Sequence, residues 1–286
     1  MPCYRPVQIN KAGYADLRQT VACGRCIGCR IDRSAEWAAR LTHENKLHEE
    51  SCFLTLTYSD ENIPSTGSLN KRDFQLFMKR LRKVCPNRIR FFHCGEYGDD
   101  KGRPHYHAII YGYRPDDLKH RRNGAKGHPL YSSEKLDALW GHGHVWVGEV
   151  TPQSCGYVAR YVMKKINGQQ AERHYEKIDP FTGEIVKLLP EYVTMSTKPG
   201  IGRLHYEKFK ADIYPADEVI IAGKQRRVPK YYDRLLRKED PDLYASLKVR
   251  RVNRARSQSK DNTPSRLRVR EEVRLAKLSQ LKRELK

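Results

Sequence analysis

Pro104-His105-Tyr106-His107-Ala108-Ile109-Ile110-Tyr111 places two imidazoles two residues apart at the head of an apolar run. Such a run reads as a buried strand, and side chains alternate faces along a strand, so His105 and His107 point the same way. Two parallel imidazoles this close can share one metal ion. The alternative is a pair of hydrogen-bonded sheet histidines, and an H-x-H alone does not choose between them.

Working outward, Ile89 to Cys94 reads as the preceding strand and Gly98 to Pro104 as the turn that returns the chain beside it. This hairpin brings Glu96 near the two histidines. A carboxylate with two imidazoles makes a mixed oxygen and nitrogen site that suits Mn²⁺ or Mg²⁺. Register decides whether Glu96 lies on the histidine face; a bulge at Gly95 or Gly98 would adjust it, and His93 is the alternative ligand.

Downstream, residues 112–143 are polar and glycine-rich and read as loop, apart from a short helix at Ser133 to Trp140. They end in a second H-x-H, His142-Gly143-His144, whose flanking glycines favour a turn over a rival metal site. Val145 to Val150 reads as a strand. Thr151-Pro152 is a helix start, a hydroxyl N-cap followed by proline. In the helix from there to about Ile166, Val158, Val162 and Ile166 recur every four residues and face the core. Tyr157, Tyr161, Lys164 and Lys165 fall at i, i+4, i+7 and i+8 on the neighbouring face. Phenols one turn apart with lysines beyond exceed what a core helix needs; the alternative is tyrosines that rim the core.

Upstream, Cys52 to Tyr58 alternates apolar and hydroxyl side chains, a strand with one buried face. Helices are predicted from Asp32 to Glu50 and from Asn70, a good N-cap, to Val84. The second carries an apolar stripe, Phe74, Phe77, Met78, Leu81 and Val84, opposite a basic face. Cys23, Cys26 and Cys29 form a C-x2-C-x2-C run. With Cys3 as a fourth ligand they make a closed structural zinc site; the alternatives are reduced thiols or a redox pair.

The bulk composition agrees with a nucleic-acid partner. Among 286 residues, 55 Lys and Arg against 34 Asp and Glu give a net charge of +21. Such an excess favours a polyanion, because neutralising phosphates releases condensed counterions. No apolar run approaches the ~18 residues a membrane span requires, and residues 1–10 carry no signal-peptide pattern, so a cytoplasmic location without membrane contact is expected. Four segments follow: a Cys-rich segment with the first helix (1–50), a core (51–168), a charged accessory region completing or packing on it (169–247), and a basic helical tail (248–286). The tail holds 14 Lys and Arg against 4 Asp and Glu. Thr263-Pro264 starts its helix, with Leu275, Leu278, Leu281 and Leu285 on one side, to dock on DNA, a partner or its own copy, or to remain solvated.

The carboxylate with its H-x-H hairpin, followed by Tyr157-x3-Tyr161-x2-Lys164-Lys165, resembles the HUH endonucleases, the rolling-circle initiators and relaxases. The likeness goes further. The cysteine run, the strand Phe53 to Tyr58, the stretches Cys94 to Gly98 and Gly102 to His107, the helix Tyr157 to Lys165, and the segments Glu191 to Ser196 and Lys198 to Arg203 are similar to replication initiators of the gokushovirus branch of the Microviridae. This similarity spans nearly the whole chain; Tyr106 departs from the usual hydrophobic residue between the histidines. The resemblance implies an α+β fold, a central antiparallel sheet flanked by helices, with the histidines on a middle strand. It also implies metal-dependent nicking of single-stranded DNA at a viral origin through a 5′-phosphotyrosine link, with later rejoining into a circle. Tyr161 would cut first and Tyr157 second, with Lys164 stabilising the phenolate or the oxyanion and Lys165 beside it. Mn²⁺ or Mg²⁺ would be the cofactor, single-stranded origin DNA and a host helicase and polymerase the partners, and the cytoplasm of a bacterial host the location. The alternatives are a mobilisation relaxase or HUH transposase, and a non-enzymatic basic DNA-binding or packaging protein.

Overall fold

The computed structural model describes residues 3–10, 13–14, 16–98, 102–124, 127–161, 169–178, 183–257 and 259–280. The chain divides into two compact units, one of Trp37–Lys210 and one of Met1–Glu36 with Ala211–Glu284. Among the described residues no helix is long and apolar enough to cross a membrane.

The larger unit is built on a seven-stranded antiparallel sheet. Its order is Tyr192–Met195, Arg90–Tyr97, Pro104–Tyr111, Ser51–Thr57, Val145–Gly148, Pro129–Ser132 and Lys119–Asn123. The histidine strand is therefore interior, as the resemblance implies. Both faces are covered, which explains why its sequence runs apolar beyond the histidines. Leu54, Leu56, Tyr106, Ala108 and Ile110 pack on one face against Phe74, Phe77, Met78 and Leu81 of the helix Lys71–Val84 and against Trp140 of the helix Glu134–Trp140. Phe92, Cys94, Ile109 and Tyr111 pack on the other face with Leu41 and with Cys155, Val158 and Ala159 of the helix Pro152–Tyr161. Burying each large aliphatic side chain stabilises the layers by about 1.5–3 kcal/mol.

Local signals start the helices where the sequence predicts. Asn70 caps Lys71–Val84 by accepting from the Arg72 N–H, and Ser133 caps Glu134–Trp140 by accepting from the Leu136 N–H. The first helix differs: it spans Ile27–Asn45, starting early enough to carry Cys29. The glutamate strand also differs, running on to Tyr97 and so including Glu96. The loop expected over 112–143 holds two strands, Lys119–Asn123 and Pro129–Ser132. Their polar sequences lack the apolar alternation of a half-buried strand, because the outer one is exposed throughout. The segment Tyr192–Met195, within the stretch Glu191 to Ser196 on which the resemblance draws, is the opposite edge of the sheet. It closes over Gly95, where a Cβ would stand 2.8 Å from the Tyr192 ring.

In the smaller unit the basic helix Pro264–Ser279 begins at its Thr263 cap, whose side chain accepts from the Arg266 N–H. Within the unit it packs through residues outside the leucine row, in which Leu278 is half-buried. Leu267 is buried beside Cys3, Tyr4 and Cys26, and Glu271 accepts from Arg5 at 2.9 Å, whereas Leu275 is 49% exposed. Leu281 and Leu285 lie outside the described residues.

Candidate active site

Cross-strand pairing assembles the site. Glu96 stands directly opposite His105, and Cys94 opposite His107, with no bulge between them. Directly opposed residues share a face, so the carboxylate falls on the histidine side. His93 falls on the reverse side, where it stacks on Phe74 with ring centroids 3.3 Å apart and bonds Thr194 Oγ1 at 2.9 Å. It is therefore not the third ligand of this site. Nε2 of His105 and Nε2 of His107 lie 2.7 and 2.9 Å from the same oxygen, Glu96 Oε1. Burial raises the Glu96 pKa, but its bonds to His105 and His107 outweigh that and hold the carboxyl well below the usual range.

The outer nitrogens are also engaged. His105 Nδ1 lies 3.1 Å from the Arg103 carbonyl, which can only accept, so Nδ1 carries the proton and Nε2 is left to ligate. His107 Nδ1 meets Thr55 Oγ1 at 3.0 Å. Two imidazole nitrogens and a carboxylate oxygen, all within 4.8 Å of one another, are a donor set that fits a divalent ion. Among the described residues the second H-x-H forms no such cluster. His142 and His144 instead lend their carbonyls to the N–H groups of Ser59 and Thr57, and Gly143 passes so close to that backbone that a Cβ there would meet Ser59 N at 2.5 Å.

The helix Pro152–Tyr161 delivers both tyrosines to His107. The Tyr161 ring lies nearly parallel to the His107 ring at 5.2 Å, and the Tyr157 ring meets it edge-on at 5.1 Å. Tyr157 Oη is 3.4 Å from His107 Nε2. Phe53, from the adjoining strand, also runs parallel to the His107 ring, at 5.7 Å. Burial pushes Tyr157 up to about 12. It pushes Tyr161 further above its ordinary value, with Tyr157 and the Glu96 charge adding to the effect. Lys164 and Lys165 lie outside the described residues. Sequence reading missed Thr55 and Phe53. A strand of alternating residues shows which side chains share a face, but not which histidine they reach.

The cysteines of the smaller unit form a second cluster. Cys3, Cys23, Cys26 and Cys29 bring their sulfurs within 4.8 Å of one another. Cys3 Sγ is 3.7 Å from Cys23 Sγ and 4.0 Å from Cys26 Sγ, far beyond the ~2.05 Å of a disulfide. The backbone N–H groups of Tyr4, Cys23 and Cys26 donate to Cys26, Cys3 and Cys23 sulfurs, each at 3.3 Å. Four thiols ordered around one point by amide donors fit a tetrahedral thiophilic ion.

Comparison with known proteins identifies the family by sequence. The family model of the replication-associated protein ORF2/G2P matches residues 51–166. The chain is similar to the replication-associated protein VP4 of Bdellovibrio phage phiMH2K, 32% identical across 91% of this chain and 86% of that one. It is also similar to the replication-associated protein ORF2 of Spiroplasma virus 4, at 34% identity over 80% of this chain and 71% of that one. A third relative is the replication-associated protein ORF4 of Chlamydia phage 1, at 29% identity over 79% of this chain and 56% of that one. No solved structure matches. With similarity of this extent running through the hairpin and the tyrosine helix, the chain belongs to the replication-associated proteins of phages, a family of Microviridae-like replication initiators.

Proposed function

We propose that this protein starts rolling-circle replication by nicking single-stranded DNA at the viral origin through metal-dependent tyrosine attack. It keeps the 5′ end as a phosphotyrosine and later rejoins the ends into a circle. The observation that carries this reading is the convergence of Glu96, His105 and His107 on one point, with both Tyr157 and Tyr161 against His107.

Glu96, His105 and His107 would hold Mn²⁺ or Mg²⁺, which when bound polarises the scissile phosphate and neutralises charge that develops there. Thr55 and the Arg103 carbonyl fix the two imidazole orientations. Burial, which raises both phenols, keeps them protonated in the resting protein. Tyr161 Oη attacks phosphorus, the bond from phosphorus to the 3′ oxygen breaks, and the departing oxygen ends as a hydroxyl carrying the phenol's proton. One phosphodiester replaces another, so no nucleoside triphosphate is consumed. The free 3′ hydroxyl primes a host polymerase, with a host helicase opening the duplex in the bacterial cytoplasm. After one round Tyr157 takes the regenerated junction, and the released 3′ end attacks the first link. The family resemblance assigns Lys164 to the phenolate or the oxyanion, with Lys165 beside it. Cys3, Cys23, Cys26 and Cys29 hold a structural Zn²⁺ in this reading.

The test is incubation of the protein with Mn²⁺ and a labelled single-stranded oligonucleotide spanning the origin, followed by denaturing electrophoresis. A protein-linked DNA band is expected from the wild type and from Tyr157→Phe, and none from Tyr161→Phe or His107→Ala. Loss only in Tyr157→Phe reverses the two roles. No band with any divalent ion rejects the enzymatic reading.

A further inference from the structure

The outermost strand of the sheet, Lys119–Asn123, is exposed at all five residues and carries Lys119, His120, Arg121 and Arg122. It pairs with Pro129–Ser132, whose Tyr131 and Ser132 also pair with Val147 and Trp146, so the two-stranded ribbon is the turn end, Arg122 and Asn123 with Leu130 and Pro129, closed by the Gly124 N–H on the His128 carbonyl at 2.8 Å. Between Lys119 and Tyr131 the sequence contains no aspartate or glutamate. The register shifts between His120 and Arg122, and a bulge of this kind twists a ribbon and re-aims its side chains. Lys119 bonds Glu134 at 2.6 Å. Arg121 Nε donates to Ser132 Oγ at 2.8 Å, with the Glu134 carboxylate that Lys119 holds also within its electrostatic reach, and the Arg122 guanidinium stands 5.3 Å from the centre of the Trp146 ring. Both contacts orient a guanidinium and leave its charge in place.

Charge on an edge strand also guards it against pairing with another chain, but charge of either sign does that. A run of one sign on a bulged, fully exposed edge strand asks for an anionic partner. The major groove of B-DNA, about 12 Å wide, admits a two-stranded ribbon of this kind. We propose that the paired strands Lys119–Asn123 and Pro129–Ser132 dock on double-stranded DNA flanking the strand to be cut, with Arg121 and Arg122 against its phosphates. This inference rests on the nicking reading for the role of the contact. Four inter-strand spacings of ~4.8 Å separate the ribbon's outer strand from the histidine strand, about 19 Å in all. That span is roughly the rise of 5–6 base pairs. The ribbon therefore grips a stem or a duplex arm about half a helical turn from the nick, which would place the phosphodiester as well as add affinity.

The experiment is fluorescence anisotropy of the full chain, without divalent ions. The probes are a labelled DNA hairpin with a stem of about two helical turns and oligo(dT) of the same length. Arg121→Gln with Arg122→Gln is expected to weaken hairpin binding about tenfold and to reduce the slope of log affinity against log salt by about 2, while oligo(dT) binding changes less than about twofold. Arg121→Glu with Arg122→Glu, which keeps the edge charged, is expected to weaken the hairpin further. Unchanged hairpin affinity in either variant, or equal loss on both probes, overturns the proposal. Because binding is read without divalent ions and needs no cleavage, a failed nicking assay leaves this result standing. A wild-type adduct with unchanged ribbon-variant binding removes only the ribbon.

Discussion

His107 is held by neighbours on several sides. Glu96 meets one nitrogen, Thr55 the other, and the rings of Phe53, Tyr157 and Tyr161 surround the imidazole. An orienting partner on the far nitrogen raises ligand basicity and fixes the tautomer. Thr55→Val keeps the strand's shape but removes that partner. It is expected to weaken Mn²⁺ binding about 10- to 100-fold by calorimetric titration, with little change in the denaturation midpoint. A second residue-scale expectation concerns pH. Burial above all lowers His43 to about 3 and His205 to about 4, and their rings stack at 3.9 Å; nearby Lys46 lowers both, Lys208 lowers His205 and Glu44 opposes the shift of His205. Both folded values lie below the unfolded value of about 6.5, so as pH falls the unfolded chain takes up protons that the folded one refuses. Stability contributed by the neutral pair is thus present above about pH 6.5 and declines towards pH 4 and below. Thermal midpoints measured across that window are expected to fall less steeply in His205→Phe than in the wild type.

Among the elements, the turn that carries the second H-x-H shows how backbone space decides a glycine. Gly143 has φ +150°, and a Cβ there would sit 2.5 Å from both Ser59 N and Thr57 O. Gly141, at φ +70°, ends the helix Glu134–Trp140, and its nearest neighbour to a Cβ is the Ala138 carbonyl at 3.8 Å. Gly143→Ala is expected to cost about 2–4 kcal/mol in urea denaturation, from backbone strain and overpacking. Gly141→Asn is expected to cost under about 1 kcal/mol, since asparagine tolerates a left-handed C-cap. Elements with a strong local pattern were legible in the sequence: the tyrosine helix from its proline start, Lys71–Val84 from its Asn70 cap, and the strand Ser51–Thr57 from its alternation. Lys119–Asn123 was not. A fully exposed edge strand has no buried face to impose period two, so its residues read as loop.

For the molecule as a whole, the cysteine cluster joins segments far apart in sequence. Cys3 and Cys26 share a buried cluster with Leu267, and Arg5 pairs with Glu271. A zinc ion on these thiols, as proposed above, would add its binding energy to the stability of this unit. Purified protein is expected to contain one zinc per chain, and Cys26→Ser to lose it. Hydrogen exchange in that variant should rise in Pro264–Ser279 and stay unchanged in Pro104–Tyr111; a metal-free wild type with the same exchange pattern rejects the zinc reading.

What the sequence determined by itself is what short-range periodicity carries. Two residues apart on a strand put His105 and His107 on one face, and four apart on a helix did the same for Tyr157 and Tyr161. Local capping chemistry placed Asn70 and Thr263 at helix starts. Tertiary structure alone decided which carboxylate or imidazole joins the pair. The choice of Glu96 over His93 depends on the register between two strands, and a slip of one residue would have exchanged their faces. Strand order placed Thr55 under His107, and packing across the sheet brought the tyrosine helix onto the same ring. These are long-range pairings selected by burial of the whole sheet, and no window of neighbouring residues contains them.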